Sequence, residues 1–133
     1  MHQSTDTSLT DMAEHNDFGQ WGEQVAAEFL ERKGYRILRR DWRFGHRDID
    51  IIAATGDTLV IAEVKTRAAG SLTSPEQAVD RRKMRSLAMA ADAFVKRHAI
   101  DAPVRFDIIA VTGSAGGGCN INHIEDAFTP LPY

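Results

Sequence analysis

Residues 47–65 read RDIDIIAATGDTLVIAEVK, and no other segment indicates as clearly how this chain folds. Two segments rich in β-forming residues, 48–54 and 58–65, flank the pair Gly56-Asp57. A Gly-Asp pair is typical of a two-residue hairpin turn, because glycine readily adopts the positive φ that the first central position requires. The stretch therefore predicts two antiparallel neighbouring strands joined by a tight turn.

The register of this predicted hairpin follows from its turn. With the turn at the centre, Asp50 lies opposite Glu63, and farther from the turn Asp48 lies opposite Lys65. Side chains alternate between the two faces of a strand, so all four project from the same face. Like charges that oppose each other directly destabilise a strand pair. Either one carboxyl of the pair Asp50 and Glu63 keeps its proton with a raised pKa, or a cation sits between them.

A hard divalent ion suits this pair of acids. Mg²⁺ takes oxygen ligands, usually one or two carboxylates together with water and substrate phosphate. Beside it, Lys65 can hold or help deprotonate an attacking water, or neutralise charge that grows in the transition state. The alternative is a surface salt-bridge network in which Asp48 pairs with Lys65 and Asp50 finds an arginine. Such pairs are common across hairpins, so the hairpin alone leaves both interpretations open.

The flanking segments predict a mixed α/β domain. Apolar residues recur at helical spacing after Phe18, and Gly34 stands where a C-terminal helix cap would. A long second helix is predicted from a capping sequence, SPEQ at 74–77, toward His98. Further strands are predicted at 35–44, 104–111 and 119–124. The order α-β-β-β-α-β(-β) is typical of a mixed β-sheet flanked by helices, in the α/β class.

The bulk properties bound the class of protein. A length of 133 residues suits one domain. We expect it at 18–133, after a flexible acidic leader at 1–17. The single Cys119 cannot form an intrachain disulfide, and the five histidines lack the paired spacing of zinc sites. No stretch is typical of a signal peptide or a membrane span, so a cytoplasmic protein is expected.

Charge is distributed unevenly along the chain. The formal net charge of -3 by itself disfavours nucleic acid as a partner, but residues 18–111 hold all 16 Lys and Arg against 13 Asp and Glu. This mildly basic body permits a phosphate-binding face, although an ordinary solvated surface explains it equally well. The residues considered for contact with nucleic acid are Lys83, Arg67, Arg43 and Arg81. Arg105 and Asp107, which flank Phe106 on a predicted strand, are expected to form a structural ion pair.

The acids and the lysine also carry a resemblance. Glu23 in an early helix, then Asp50 with its apolar tail, then Glu63-Val64-Lys65 resembles the PD-(D/E)xK nuclease superfamily. More narrowly, the chain is similar to the YraN-like family of small bacterial proteins, which are related to archaeal-type Holliday junction resolvases. The match covers about residues 18–111. It includes Gly22-Glu23, Gly34-Tyr35, Ile37-Leu38, Ala78-Val79 with Lys83, and Arg105-Phe106-Asp107.

The resemblance implies a restriction-endonuclease-like fold and roles for particular residues. Asp50 and Glu63 would be ligands of Mg²⁺ or Mn²⁺, with the backbone carbonyl of Val64 as a third. Lys65 would be the catalytic lysine, and Glu23 would orient water or support the metal. Among the basic residues, the resemblance favours Lys83 for nucleic-acid binding.

The chain departs from the family pattern at two positions. Where the family usually has Gly-Glu before Ile-Asp, this chain has Arg47-Asp48, so the auxiliary role of Asp48 is open. Where the family often has Asn-x-Arg, the chain has Asp41-Trp42-Arg43.

We therefore expect a metal-dependent endonuclease that hydrolyses phosphodiester bonds in DNA. Branched or otherwise structured DNA is a candidate substrate, and a homodimer is a candidate assembly. One alternative is a non-catalytic nucleic-acid-binding module that retains the nuclease fold, motivated by the altered residue 48 and the mild charge. A second alternative is a protein-interaction adaptor whose sheet or acidic leader binds a partner.

Overall fold

Five strands form one mixed sheet, with a helix packed on each face. The structure is a computed structural model, and it describes residues 3–70, 79–114 and 116–129, with side chains described from residue 17 onward. The elements in chain order are α1 (Gln3–Arg32), β1 (Arg36–Phe44), β2 (Arg47–Thr55), β3 (Thr58–Arg67), α2 (Arg81–Arg97), β4 (Val104–Gly113) and β5 (Cys119–Ile124). The predicted α/β class and the predicted order of elements are confirmed.

The strands lie in the sheet in the same order as in the chain, β1-β2-β3-β4-β5. β3 and β4 are parallel, and the other neighbouring pairs are antiparallel. Parallel strands need a crossover connection, which α2 supplies between β3 and β4. In residues 3–70, 79–114 and 116–129, neither helix combines the length and the apolar character needed to cross a membrane.

Each face of the sheet has its own apolar core. On one face, α1 packs Ala26, Ala27 and Leu30 against strand residues such as Ile51 and Val60. On the other face, α2 packs Leu87, Ala90, Ala91 and Phe94 against strand residues such as Ile52 and Ile61. Ile51 and Ile52 are consecutive, as expected where side chains alternate across a strand buried on both faces.

The predicted hairpin is present between β2 and β3. Gly56 has a φ of +56°, which is the conformation that the turn requires of it. The ladder runs from Thr55 opposite Thr58 to Ile51 opposite Ala62, and Ile52 faces Ile61 as predicted. The turn chemistry therefore sets the register of the two central strands.

The alternation of β2 is interrupted at Asp50. Ile49 packs in the core on the α2 side, whereas Ile51 packs in the core on the α1 side. On the neighbouring strand, Asp41 has a φ of +50°, a conformation that non-glycine residues rarely adopt. The premise of unbroken alternation, from which Asp48 and Asp50 were expected to share a face, is therefore wrong at this position.

The first helix begins earlier than expected. Its backbone is helical from Gln3, whereas the apolar periodicity predicted a start near Phe18 after a flexible leader. At its other end the helix stops as predicted, because Gly34 has a φ of +93° and the Tyr35 N–H donates to the Leu30 carbonyl.

The second helix begins later than expected. Asp80 has extended backbone angles and its carboxylate accepts a hydrogen bond of 2.9 Å from the Lys83 N–H, so Asp80 is the N-cap of α2. A helix running unbroken from the capping sequence at 74–77 is therefore wrong, and residues 74–77 themselves lie outside the described part of the chain. The helix ends at Arg97 with His98 as its C-cap, in agreement with the predicted run toward His98.

The far end of the sheet is tied by a buried ion pair. Asp107 is fully buried, and Arg105 donates to it from Nε at 2.9 Å and from Nη2 at 2.8 Å. The His123 ring donates from Nε2 at 2.7 Å, and the Asp126 N–H donates at 3.0 Å. Burial on its own would raise the pKa of Asp107, but these donors outweigh it and lower the pKa to about 2. The predicted ion pair is confirmed within β4, and the hydrogen bond from His123 ties it to β5.

Candidate functional site

A cavity of about 620 Å³ opens where the middle of α1 passes the end of β3. Three acids, Glu23, Asp50 and Glu63, line it together with two cations, Lys65 and Arg67. The remaining lining residues are Phe18 and Gly19 of α1 and Val64, Thr66 and Ala68 at the end of β3. The structure thus brings together four of the residues expected to carry chemistry, Glu23, Asp50, Glu63 and Lys65.

Asp50 is held at the edge of this cavity by the neighbouring strand. Its Oδ2 accepts a hydrogen bond of 2.8 Å from the Val64 N–H. Burial raises the pKa of Asp50 well above its usual range, and the charge of the nearby Glu63 carboxylate raises it further. A raised carboxyl pKa is one of the two compensations expected for this pair of acids.

Glu63 is a buried carboxylate with two cations on one oxygen. Its side chain is 4% exposed, and its Oε2 lies 3.1 Å from the Lys65 Nζ and 3.6 Å from the Lys83 Nζ. The other oxygen, Oε1, is buried without a hydrogen-bond partner among the residues that the structure describes. Leaving a buried acceptor unpaired costs about 1–3 kcal/mol, and such atoms are rare in native proteins. Either a proton kept on Asp50 and shared with Glu63, or a cation bound between the two carboxyls, would compensate this oxygen.

The donor set fits a hard divalent cation. Two carboxylates with an unpaired buried oxygen match Mg²⁺ or Mn²⁺, which complete their coordination with water and substrate phosphate. Within the described ranges, no three side chains among His, Cys, Asp and Glu form a ready-made metal cage. The ion would therefore rely on Asp50, Glu63, a backbone carbonyl such as that of Val64, and oxygens from outside the chain.

Glu23 reaches the cavity from α1. It is partly buried. Burial raises its pKa, the charges of Asp41, Asp48 and Glu63 raise it further, and Arg40 opposes them. Asp48, the candidate auxiliary acid, thus acts on Glu23 through its charge.

The glycine before Glu23 allows the helix to approach the sheet closely. A Cβ built on Gly22 would lie 2.0 Å from the Thr66 Oγ1 and 2.9 Å from its Cγ2. Because real Cβ atoms are not found so close to other atoms, only glycine fits here without a shift of the neighbouring residues. Glu23, the next residue of the helix, lines the cavity.

Of the four basic residues considered for contact with nucleic acid, two lie at the site and two lie away from it. Arg67 lines the cavity and donates from Nη1 to the Thr66 carbonyl at 3.0 Å, and Lys83 pairs with Glu63. Arg81 is exposed at the first residue of α2. Arg43 is exposed on β1 and lies 3.8 Å from the Asp41 carboxylate. Arg67 and Lys83 thus belong to the site, whereas Arg43 and Arg81 lie outside the cavity lining.

Two features of the site were missed in the sequence. Phe18 lines the cavity, and its ring stacks on Trp21 with centroids 5.5 Å apart and planes at 15°. The spacing of three residues within a predicted helix was the available signal for this pair. The approach of Lys83 to Glu63 had no local signal, because it depends on how α2 packs on the sheet.

Comparison with known proteins gives the family. Residues 22–111 match the uncharacterised protein family UPF0102, a range that contains every acid and lysine of the site. The chain is 50% identical over 119 residues to a UPF0102 protein of Bacteroides thetaiotaomicron, covering 90% of this chain and 98% of that protein. It is 49% identical over 121 residues to one of Porphyromonas gingivalis, covering 90% of each. A UPF0102 protein of Nitratidesulfovibrio vulgaris is 49% identical over 111 residues, covering 83% of this chain and 82% of the relative. The chain therefore belongs to the UPF0102 family, and the YraN-like resemblance is confirmed.

Proposed function

We propose that this chain is a metal-dependent endonuclease that hydrolyses phosphodiester bonds in DNA, with a restriction-endonuclease-like site of the PD-(D/E)xK type. The observation that carries the proposal is the buried, unpaired Oε1 of Glu63 beside the carboxyl of Asp50, whose pKa is raised. Burying two acids side by side destabilises a fold unless a cation or a proton compensates them. A site for hard-metal catalysis accounts for this arrangement.

Asp50 and Glu63 would hold Mg²⁺ or Mn²⁺, with the backbone carbonyl of Val64 as a further ligand. When bound, the ion would act as a Lewis acid toward the phosphodiester and generate a nucleophilic hydroxide from water. The hydrogen bond from the Val64 N–H to the Asp50 Oδ2 supports this role, because it holds the carboxyl in one orientation. Ligands fixed in advance by the backbone need little reorganisation when the ion binds.

The other residues would handle water and phosphate. The Lys65 Nζ lies 3.1 Å from Glu63, and from there it would orient water or stabilise negative charge on the phosphate. Glu23, which keeps its proton more readily than an exposed glutamate, would orient the attacking water. Arg67 in the cavity lining and Lys83 on α2 would contact the phosphate backbone of DNA.

The test uses labelled junction, flap and linear DNA incubated with Mn²⁺ or with EDTA. Wild-type protein should cleave at least one of these substrates only in the presence of the metal. Asp50→Asn and Glu63→Gln should abolish the stimulation by metal, and Lys65→Met should lower the rate by about 100-fold or more. Asp57→Asn, the same change at an exposed turn residue, is the matched control and should leave the rate unchanged.

Metal binding can be measured without cleavage. A ligand that binds only the native state raises the melting temperature, so Mn²⁺ should stabilise the wild type and Asp57→Asn but not Asp50→Asn. Cleavage that persists in both Asp50→Asn and Glu63→Gln would place the activity elsewhere or in a contaminant. Absence of any response to Mn²⁺ in the wild type would contradict the proposed site.

A second candidate is a non-catalytic nucleic-acid-binding module. It is favoured by the two ammonium groups on the Glu63 Oε2, which partly neutralise this carboxylate without any metal. Under this alternative, wild-type protein binds DNA with an affinity that falls with salt and with Lys83→Ala, and metal produces no cleavage. The melting experiment with Mn²⁺ separates the two candidates.

A further inference from the structure

One wall of the cavity is aromatic. Phe18 is partly exposed there, and the stacked ring of Trp21 supports it. Trp21 in turn packs against the core on the α1 side of the sheet, so the pair is anchored to the body of the protein. Lys65 and Arg67 line the same cavity. The site therefore combines cationic groups with a flat apolar surface.

We propose that Phe18 is a stacking platform for one unpaired base, so that the substrate class is single-stranded or locally unpaired nucleic acid. This inference rests on the proposed function, since it names the substrate of the same site. The unpaired base would extend the stack formed by Trp21 and Phe18, and the phosphate of the same nucleotide would face Lys65 and Arg67.

The chemistry of a nucleotide matches the two parts of the cavity. A nucleotide joins an anionic phosphate to a flat base, and proteins that bind single strands combine cationic groups with aromatic rings on which bases stack. In a duplex, the faces of each base are covered by its neighbours, so an aromatic wall is of use only for a base that has left the stack. The cavity of about 620 Å³ lies in the size range of sites that enclose small organic ligands.

The alternative is that Phe18 only covers Trp21. A ring that served only as a cover could be replaced by another apolar side chain of similar size. A stacking platform needs an aromatic face, so tyrosine should substitute for Phe18 and leucine should not. Comparison of these two substitutions separates the roles.

The experiment measures fluorescence anisotropy with a labelled oligothymidylate strand and a hairpin duplex of equal length, in EDTA so that cleavage does not contribute. Wild-type protein should bind the single strand more tightly than the duplex. Phe18→Leu should weaken binding of the single strand by about 5- to 100-fold, and Phe18→Tyr should keep the wild-type affinity. Phe44→Leu is the matched control, because Phe44 is 37% exposed on β1 and does not line the cavity.

A strand of abasic sugar-phosphate units tests the contact with the base directly. Wild-type protein should bind it more weakly than oligothymidylate, and this difference should shrink in Phe18→Leu. Thermal melts of every variant show whether the fold is kept. The platform is overturned if Phe18→Leu binds the single strand as wild type does, if the duplex binds equally well, or if the wild type binds no single strand.

Failure of this inference is distinguishable from failure of the proposed function. Metal-stimulated cleavage of duplex DNA that is unchanged in Phe18→Leu would retain the hydrolytic site and remove the platform. Base-dependent binding of single strands through Phe18, without cleavage in Mn²⁺, would support the platform and remove the hydrolytic function.

Discussion

Replacing Gly22 by alanine tests the close approach of α1 to β3 that brings Glu23 to the site. Two opposing effects decide the stability of this variant. Alanine is favoured over glycine inside a helix by about 0.8–1 kcal/mol. The new Cβ, however, would meet the Thr66 Oγ1 at 2.0 Å and its Cγ2 at 2.9 Å. Rotation of the Thr66 side chain about χ1 does not relieve the clash, because it moves one branch atom away and brings the other toward the new Cβ. Overpacking of this kind costs about 1–3 kcal/mol.

Gly19 is the matched control on the same helix. A Cβ there would meet nothing within 4 Å, so Gly19→Ala should gain the helix propensity without a clash. The difference in unfolding free energy between the two variants therefore isolates the clash, at about 1–3 kcal/mol. For a chain of this length, thermal melts should separate the variants by roughly 4 °C per kcal/mol, with Gly22→Ala melting lower.

A double-mutant cycle identifies the partner of the clash. Thr66→Ala removes both branch atoms and leaves only its own Cβ, at 3.0 Å from the new Cβ. The combination of Gly22→Ala and Thr66→Ala should therefore recover stability, with a coupling of about 1 kcal/mol or more between the two changes. If Gly22→Ala proves as stable as Gly19→Ala, or if the two changes are additive, α1 does not approach β3 as closely as described.

Three further predictions concern the acids. The raised pKa of Asp50 means that its charged form is less stable in the folded protein than in the unfolded chain. The free energy of unfolding of the wild type should therefore fall relative to that of Asp50→Asn as pH rises above 3.8. Denaturant titrations in EDTA at about pH 5 and about pH 8 measure this difference. Asp80→Ala should lower the free energy of unfolding by about 1 kcal/mol through loss of the α2 cap, whereas Asp80→Ser should retain most of it in thermal melts. The pKa of Asp107 is lowered from 3.8 to about 2, so its ionisation contributes about 2 kcal/mol to the free energy of unfolding. This contribution is fully present above pH 3.8 and is lost as pH falls through 2. Urea titrations of Asp107→Asn should lack that acid-dependent loss, and an unchanged pH dependence would contradict the assignment.

The hairpin could be predicted because its determinants are local. Gly56 imposes the turn, and the turn imposes the register that pairs Ile52 with Ile61. The interruption at Asp50 could not be predicted in the same way. It accompanies the positive φ of Asp41 on the neighbouring strand and the packing of Ile49 and Ile51 into different cores. Pairing between strands, rather than the sequence of β2 alone, decides where the alternation breaks.

The acids of the site were predicted more completely than their partners. Asp50 and Glu63 follow from the hairpin, which also brings Lys65 close to them. The expected pairing of Lys65 with Asp48 is replaced by an ion pair with Glu63, because the ladder ends before it reaches these residues. The approach of Lys83 depends on where α2 begins, and that start is set by the Asp80 cap. Turn residues and hydrophobic periodicity predict local structure, but they do not predict contacts between elements that are distant in the chain.

The two buried carboxylates of the described chain differ in how completely the protein satisfies them. Asp107 and Glu63 are 0% and 3% exposed. Each oxygen of Asp107 accepts two hydrogen bonds, so its charge is satisfied within the protein and it lacks capacity for an added ligand. Glu63 keeps Oε1 unpaired and lies beside Asp50, whose pKa is raised rather than lowered. The fold thus fully satisfies one buried acid, Asp107 on β4, and leaves the other, Glu63 on the neighbouring β3, with an unpaired oxygen beside a cavity. Changes at Asp107 should therefore act on folding, and changes at Glu63 on the binding of metal.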